Sequence, residues 1–149
     1  MEISTAAAAK YTTSIQINAP ITVVWQLLSD INKWPQWNPE VKTAHLNGAL
    51  APETDFTWKA GPGTITSHLV EVKAPTNIAW TGKTMGISAT HIYKLEEAGS
   101  NKTIVTTAET FDGIVVKIMK SYFQKTLAKS LDGGLASLKK AAEQAQLNS

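Results

Sequence analysis

Alternating apolar and polar positions along much of the chain are typical of β-strands joined by short turns. The first such segment, YTTSIQI, is rich in β-branched residues. From position 41 onward, similar segments are separated by short turns containing Gly, Pro or Asn, and such connections join antiparallel neighbours. The pattern predicts seven strands: Tyr11–Ile17, Val41–Leu46, Asp55–Lys59, Thr64–Val72, Asn77–Gly82, Ile87–Glu96 and Thr103–Phe111.

Two short helices are expected between the first two strands. Pro20 suits the first turn of a helix, where its missing N–H is not needed. Asp30 is expected to cap a second helix, and Pro35 and Pro39 limit its length. The helical spacing is carried by Ile21, Val24, Trp25, Leu28, Ile31 and Trp34.

One long helix is predicted over 114–144, where proline is absent. At about 1.5 Å per residue it would be roughly 45 Å long and would lie across the whole sheet. Gly133 and Gly134 interrupt it, each at roughly 1 kcal/mol relative to alanine, so we expect close packing or a bend there. Its apolar stripe is Met119, Phe123, Leu127, Leu131, Leu135 and Leu138.

The order of these elements predicts an α+β fold with helices on one face of an antiparallel sheet. A long helix crossing a curved sheet leaves a gap, and such a gap is a natural ligand cavity. The 149 residues suit one domain. We expect a flexible N-terminal leader over 1–10, a single ligand-binding domain over 11–144 and a C-terminal tail over 145–149.

Charge and composition exclude several classes of protein. The formal charge is +2, and all 14 basic residues are lysine. Without arginine there is no bidentate fork for phosphates or guanine edges, so a nucleic-acid partner is not expected. The absence of cysteine excludes disulfides and thiolate metal sites and suits a reducing cytoplasm. With no secretory signal and no long apolar window, we expect a cytoplasmic protein without stable membrane insertion.

Short motifs along most of the chain are shared with one superfamily. They are DINKWPQWNP at 30–39, GPG at 61–63, AWTG at 79–82, ETFDG at 109–113, and a strand-to-helix pattern of Ile15, Ile17, Ala19, Pro20, Val24, Trp25, Leu28 and Asp30. From about Tyr11 to Glu143 the chain resembles the polyketide cyclase/dehydrase-type branch of the START-like (SRPBCC) superfamily, which also includes the major birch-pollen allergen family.

The resemblance implies a helix-grip fold, in which a curved seven-stranded antiparallel sheet wraps on a long C-terminal helix around a deep pocket. Members of the superfamily bind lipids, sterols, polyketides and other apolar small molecules, and some are cyclases or dehydratases. A fold shared by so many activities does not by itself choose among them.

Polar residues predicted on inward faces are candidates for a site. Alternation along the strand beginning at Ile87 places His91 and Tyr93 on its apolar face. They would orient a ligand, transfer protons or form a structural hydrogen-bonded pair. For Glu109 the pattern leaves both faces open: inward, it would be a carboxyl with a raised pKa and a candidate base; outward, a solvated charge.

The remaining candidates are mostly aromatic. Trp37 is read as packing in preference to a lid, as is Trp34, while Met119 and Phe123 are equally suited to core and to pocket wall. The complete set of expected ligand-binding residues is Trp37, His68, Trp80, His91, Tyr93, Glu109, Phe111, Met119 and Phe123. Histidine spacing and the absence of nucleotide-binding motifs predict neither a metal nor a cofactor.

Three functions follow, in order of preference. The first is binding of a small apolar ligand such as a lipid, sterol or polyketide. The alternative is a polyketide cyclase or dehydratase that uses His91, Tyr93 or Glu109 as acid and base. The third is a protein-interaction module, which would need an exposed apolar patch and is disfavoured by the many lysines on the long helix. We expect a monomer or homodimer.

Overall fold

A seven-stranded antiparallel sheet forms the centre of the computed structural model, which describes residues 1–148. Its strands are β1 (Ala9–Ile17), β2 (Val41–Leu46), β3 (Asp55–Ala60), β4 (Thr64–Lys73), β5 (Asn77–Thr84), β6 (Ile87–Glu97) and β7 (Thr103–Asp112). The helices are α1 (Ile21–Ser29), α2 (Trp34–Trp37), α3 (Ile114–Ile118) and α4 (Lys120–Leu147), and a 3₁₀ turn at Ile31–Lys33 precedes α2.

The strand order across the sheet is β1-β7-β6-β5-β4-β3-β2. Strands β2 to β7 follow one another as a meander, whereas β1 pairs with the last strand. The helices between β1 and β2 therefore carry the chain from one edge of the sheet to the other. Together with α4, which packs against β1, β7 and α1, this confirms the predicted helix-grip fold.

The leucine stripe of α4 forms the helical side of the core, as predicted. Leu127, Leu131, Leu135 and Leu138 are all buried. The stripe does not extend to its predicted beginning, because Met119 is 46% exposed and Phe123 is half-buried.

The predicted single helix is in fact two. At Met119 the backbone leaves the helical region, with φ −111° and ψ 43°, and separates α3 from α4. The sequence IVVKI of α3 contains four β-branched residues, which lower helix propensity. Val116 is nonetheless fully buried and anchors the short helix.

The two glycines of α4 do not have the role expected of them. The helix continues through both. A Cβ added at Gly133 would meet nothing within 4 Å, and one added at Gly134 would lie 3.9 Å from the Tyr93 hydroxyl. Close packing therefore does not require glycine at either position, since a methyl group would fit at both.

Replacement of Gly133 by alanine should raise the free energy of unfolding by about 0.5–1 kcal/mol, because alanine has the higher helix propensity and the added methyl group meets open space. Chemical denaturation measures the change. Gly61→Ala is a contrasting control, since its φ of +79° strains an L-residue, and it should destabilise. A loss of stability in Gly133→Ala would show a constraint on the helix that these contacts do not reveal.

Truncation of the core stripe should be costly. Leu138→Ala is expected to lower the free energy of unfolding by about 2–5 kcal/mol, because the side chain is 1% exposed and its removal leaves a cavity. Leu147→Ala, on the same helix but 81% exposed, should change stability by less than about 0.5 kcal/mol. Similar values for the two variants in urea titrations would contradict this description of the core.

Candidate functional site

Four polar side chains lie together on the inner face of the sheet, where β6 and β7 pair. The antiparallel register places His91 opposite Glu109 and Tyr93 opposite Thr107. Residues two apart on a strand share a face, so all four project to the same side. Each is buried, with at most 9% exposure. We call these four residues the polar cluster; its register settles the open question about β7 in favour of an inward Glu109.

Hydrogen bonding within the polar cluster assigns the histidine tautomer. The Thr107 hydroxyl donates its only proton to the carbonyl oxygen of Ile92, at 3.0 Å. At 2.9 Å from His91 Nε2 it must therefore accept, and this requires the imidazole proton on Nε2. His91 Nδ1 is left with a free lone pair, buried and without a hydrogen-bond partner.

The free nitrogen faces a carboxyl group. His91 Nδ1 lies 3.5 Å from Glu109 Oε2, a separation that would suggest an ion pair. Burial argues against one, because it raises the pKa of Glu109 to about 8 and lowers the pKa of His91 to about 3. At neutral pH the pair is therefore a protonated carboxyl group beside a neutral imidazole.

Tyr93 is uncharged as well. Burial, and secondarily the charge that Glu109 would carry when ionised, raise the pKa of its hydroxyl group. The polar cluster thus offers two O–H donors, on Glu109 and Tyr93, and one nitrogen acceptor on His91, with no net charge at neutral pH. These donors and this acceptor suit a neutral polar group of a ligand better than a charged one.

Aromatic rings surround the polar cluster on one side. The Trp80 ring lies 4.8 Å from His91 and 5.8 Å from Tyr93, centroid to centroid. Trp34 continues this packing at 5.3 Å from Trp80, and its indole N–H donates to the Leu28 carbonyl at 2.9 Å. Trp34, the first tryptophan of the WPQW segment, is thus a core residue that connects α2 to the sheet.

A second apolar group closes the other side. Phe111 follows Glu109 by two positions and shares its face of β7. It contacts Phe123 of α4 in a T-shaped pair with centroids 6.1 Å apart. Val116 and Leu127 belong to the same cluster. The cluster therefore joins the inner face of β7 to α3 and α4.

The predicted gap between sheet and helix is largely occupied by these side chains. Two surface depressions within residues 1–148 have volumes of about 540 and 100 Å³. The larger is lined by Ile21, Pro75, Thr76, Asn77, Lys94, Leu95, Glu96 and Glu97. Neither is lined by His91, Tyr93 or Glu109. Because the side chains of the polar cluster are at most 9% exposed, a ligand there would need side-chain movement.

Most of the ligand-binding candidates named from sequence fall into these two groups. His91, Tyr93, Glu109 and Trp80 lie in or against the polar cluster, and Phe111 and Phe123 form the adjoining pair. Met119 lies beyond them, partly exposed at the break between α3 and α4. Trp37 packs at the edge of the main core, where its indole N–H is buried without a partner.

His68 does not join the other candidates. Its neighbours Ser67 and Leu69 are buried, so alternation turns His68 to the outer face, where it bonds to Asp55 at 2.6 Å. A β-bulge between Leu69 and Glu71 interrupts the alternation along β4, so Val72, which packs against the core, does not share a face with His68. His68 therefore lies away from the ligand-binding candidates of β6 and β7. The hydrogen bond to Asp55 raises the pKa of His68.

Thr107 is the member of the polar cluster that the sequence analysis did not select. The only indication in the sequence was that Thr107 lies two positions before Glu109 and so shares its face of β7. Its importance comes from its hydrogen bonds with His91 and the Ile92 carbonyl, which could be identified only once the register of β6 and β7 was known. Among residues 1–148, no group of three or more metal-ligating side chains is close enough to hold an ion.

The fold and this interior site define a helix-grip protein of the START-like superfamily. The profile of the family described as "Polyketide cyclase / dehydrase and lipid transport" matches residues 8–143, and the chain belongs to that family. No curated protein matches the sequence. No helix within residues 1–148 has the length and hydropathy needed to span a membrane.

Solved structures share the fold at low sequence identity. A hypothetical protein from Helicobacter pylori superposes with a TM-score of 0.82 at 16% identity, covering 94% of this chain and 91% of the other. The Zhui aromatase/cyclase from Streptomyces sp. R1128 gives 0.78 at 12%, covering 91% and 93%. A START superfamily protein from Mycobacterium smegmatis gives 0.66 at 16%, covering 87% and 98%.

The opposite pKa shifts of Glu109 and His91 predict a distinctive pH dependence of stability. Folding raises the Glu109 pKa from its ordinary 4.5 to about 8, so this group lowers stability as pH rises through that interval. Folding lowers the His91 pKa from 6.5 to about 3, so this group lowers stability as pH falls through that interval. Of these two groups, only Glu109 contributes a change above about pH 6.5.

We therefore expect the wild-type protein to lose roughly 1–2 kcal/mol of stability between about pH 6.5 and 8.5. Glu109→Gln should abolish most of this loss, because its amide does not ionise. Glu97→Gln, at an exposed position, should retain the wild-type profile. Denaturation midpoints across this range measure the effect, and parallel profiles for wild type and Glu109→Gln would show that Glu109 is already ionised at neutral pH.

Proposed function

We propose that this protein binds a small, mostly apolar molecule whose single neutral polar group is held by the polar cluster. The observation that carries the proposal is the buried, unpartnered Nδ1 of His91 beside the protonated carboxyl group of Glu109. An unsatisfied buried nitrogen destabilises a protein by about 1–3 kcal/mol, and a ligand hydroxyl that donates to it would remove that penalty. Membership of a family described in part by lipid transport supports this reading.

The surroundings of the polar cluster indicate the rest of the ligand. Trp80 on one side and the Phe111–Phe123 pair on the other present ring surfaces that suit flat or flexible hydrocarbon. A charged group would be disfavoured, since the cluster carries no opposite charge and is shielded from water. Admission of a ligand would require displacement of the Phe111–Phe123 pair, and α3 would move with it because Val116 packs in the same cluster.

Binding of matched aromatic probes tests the proposal. Isothermal calorimetry should show 2-naphthol binding more tightly than naphthalene and more tightly than 2-naphthoate, because only the naphthol combines an apolar ring with a neutral donor. Tyr93→Phe and His91→Leu should each reduce the preference for 2-naphthol over naphthalene by roughly tenfold or less, the value of one neutral hydrogen bond. Lys129→Ala, at an exposed position of α4, is the control.

Failure of all three probes to bind to folded protein would contradict the proposal. An unchanged preference in both polar-cluster variants would place the ligand elsewhere. Circular dichroism of each variant distinguishes loss of binding from loss of folding, and Tyr93→Phe removes one oxygen atom alone, so it tests the site with the least disturbance.

A second candidate is a dehydratase or cyclase, favoured by one feature of the same site. His91 Nδ1 and Glu109 Oε2 form an acceptor and a donor 3.5 Å apart, both neutral. His91 would remove a proton from a carbon beside a carbonyl group while Glu109 protonates the departing hydroxyl group, and water would be released. Return of the proton from His91 to Glu109 would restore both groups. The aromatase/cyclase with the same fold makes this candidate worth testing.

Turnover separates the two functions. With β-hydroxy ketone substrates that release a conjugated product, an enzyme should lose about 10²–10⁴-fold in kcat in His91→Gln and in Glu109→Gln, with little change in affinity. Absorbance of the conjugated product gives the rate. A wild-type protein that binds such compounds without converting any of them would leave the binding function alone.

A further inference from the structure

An unusual set of large apolar side chains is exposed at one end of the molecule. Ile114 is 78% exposed, Ile118 77%, Met85 70% and Tyr122 59%. Val115 and Met119 are less exposed, at 37% and 46%. We call the whole set the apolar patch: Met85, Ile114, Val115, Ile118, Met119 and Tyr122. Single exposed apolar residues are common on proteins, but a contiguous group marks an interaction surface.

The six residues of the apolar patch are brought together by the fold. Ile114 and Ile118 are four positions apart on α3 and so share one side of that helix. The β5–β6 turn lies directly beside the start of α3, because a Cβ added at Gly113 would be 2.5 Å from the Gly86 carbonyl oxygen. Met85, which precedes Gly86 in that turn, lies at the same end of the molecule, with its side chain beside Gly63 of the β3–β4 turn.

The segment that carries most of the apolar patch is also the most basic part of the chain. Residues 114–130 contain four lysines and no acidic residue, whereas the rest of the chain has ten lysines and twelve acidic residues. All four side chains are exposed: Lys117, Lys120, Lys125 and Lys129. The small overall charge of +2 conceals this local excess.

We propose that the apolar patch and these lysines dock the protein on the surface of an anionic lipid bilayer. Aliphatic side chains enter the outer acyl region, Tyr122 occupies the interface with its hydroxyl group toward water, and the lysines bind lipid phosphates. Neither contribution is strong alone, and their combination gives stable peripheral binding. The contact is superficial and requires no membrane-spanning helix.

Charge argues against the other occupants of such a surface. A symmetric dimer through the apolar patch would bring Lys117 and Lys120, which adjoin Ile118 and Met119 in sequence, toward the same residues of the other copy. Protein interfaces are also depleted in lysine, whereas lysines near an anionic membrane each add attraction. The inference does not depend on the proposed function, although Val116 of α3 packs in the same cluster as Phe111 and Phe123.

Co-sedimentation of the full chain with vesicles tests the proposal. Phosphatidylcholine vesicles containing phosphatidylglycerol should bind the protein, pure phosphatidylcholine vesicles should bind it far less, and added salt should weaken the binding. Lys117→Glu with Lys120→Glu should lower partitioning by about tenfold or more. Ile114→Asp with Ile118→Asp should lower it comparably by removing the inserted side chains.

Matched controls use equally exposed positions elsewhere. Leu147→Asp, at the far end of α4, and the pair Lys42→Glu with Lys102→Glu should retain wild-type partitioning at low and high salt within about twofold. All substituted side chains are exposed, so the variants should fold, and circular dichroism checks this. Naphthol binding in vesicle-free buffer should be unchanged in the lysine variant, so the docking and ligand-binding proposals fail independently.

Three results would overturn the docking proposal. The first is an absence of binding to anionic vesicles. The second is equal loss in the patch and control variants, which would indicate a general charge effect. The third is concentration-dependent dimerisation in light scattering, abolished by the Ile114 and Ile118 substitutions and accompanied by no vesicle binding, which would assign the patch to a second copy of the chain.

Discussion

Pairing of β7 with both β1 and β6 determines the arrangement of nearly everything else. On one side, a nine-residue register joins the first strand to the last, so α1 and α2 must cross from one edge of the sheet to the other. On the other side, the register brings His91 opposite Glu109 and Tyr93 opposite Thr107. Because side chains alternate strictly along a strand, a slip of one residue would turn Glu109 and Thr107 outward and dismantle the site.

The polar cluster remains buried because its protons are arranged to avoid charge. An ionised glutamate beside an imidazolium would have to be stripped of water, and attraction within the pair often fails to offset that penalty. A neutral carboxyl group, a neutral imidazole and a phenol avoid it, and the Thr107 hydroxyl fixes the tautomer that makes this possible. Within the polar cluster one nitrogen, His91 Nδ1, remains unsatisfied, and it lies between groups that could also bind a ligand.

Helix α3 connects the apolar patch on the surface to the buried cluster that contains Phe111 and Phe123. The short helix is held by one buried residue, Val116, while Ile114 and Ile118 project to solvent on the same turn of chain. The lysines of the C-terminal segment, considered along the sequence, argued against an interaction surface. Next to the apolar patch, the same lysines indicate the binding partner instead. Positive charge beside exposed hydrocarbon matches an anionic membrane better than it matches another protein.

Local periodicity accounts for most of the elements. The strand at Val41–Leu46 and the buried leucines of α4 followed from alternation and from helical spacing, and the WP-containing motif indicated the superfamily. Periodicity determines which residues share a face. It does not determine which face is covered, and for Glu109 that depended on pairing with residues far away in the sequence.

The tertiary structure alone decided the remaining features. His68 lies on the outer face of the sheet, the helical segment breaks at Met119, and aromatic side chains pack together on the inner face of the sheet. Each of these outcomes depends on how distant side chains share a limited volume. Packing between distant side chains leaves no periodic signal in the sequence. The apolar faces of single strands and helices do leave one, because their residues recur at a fixed spacing.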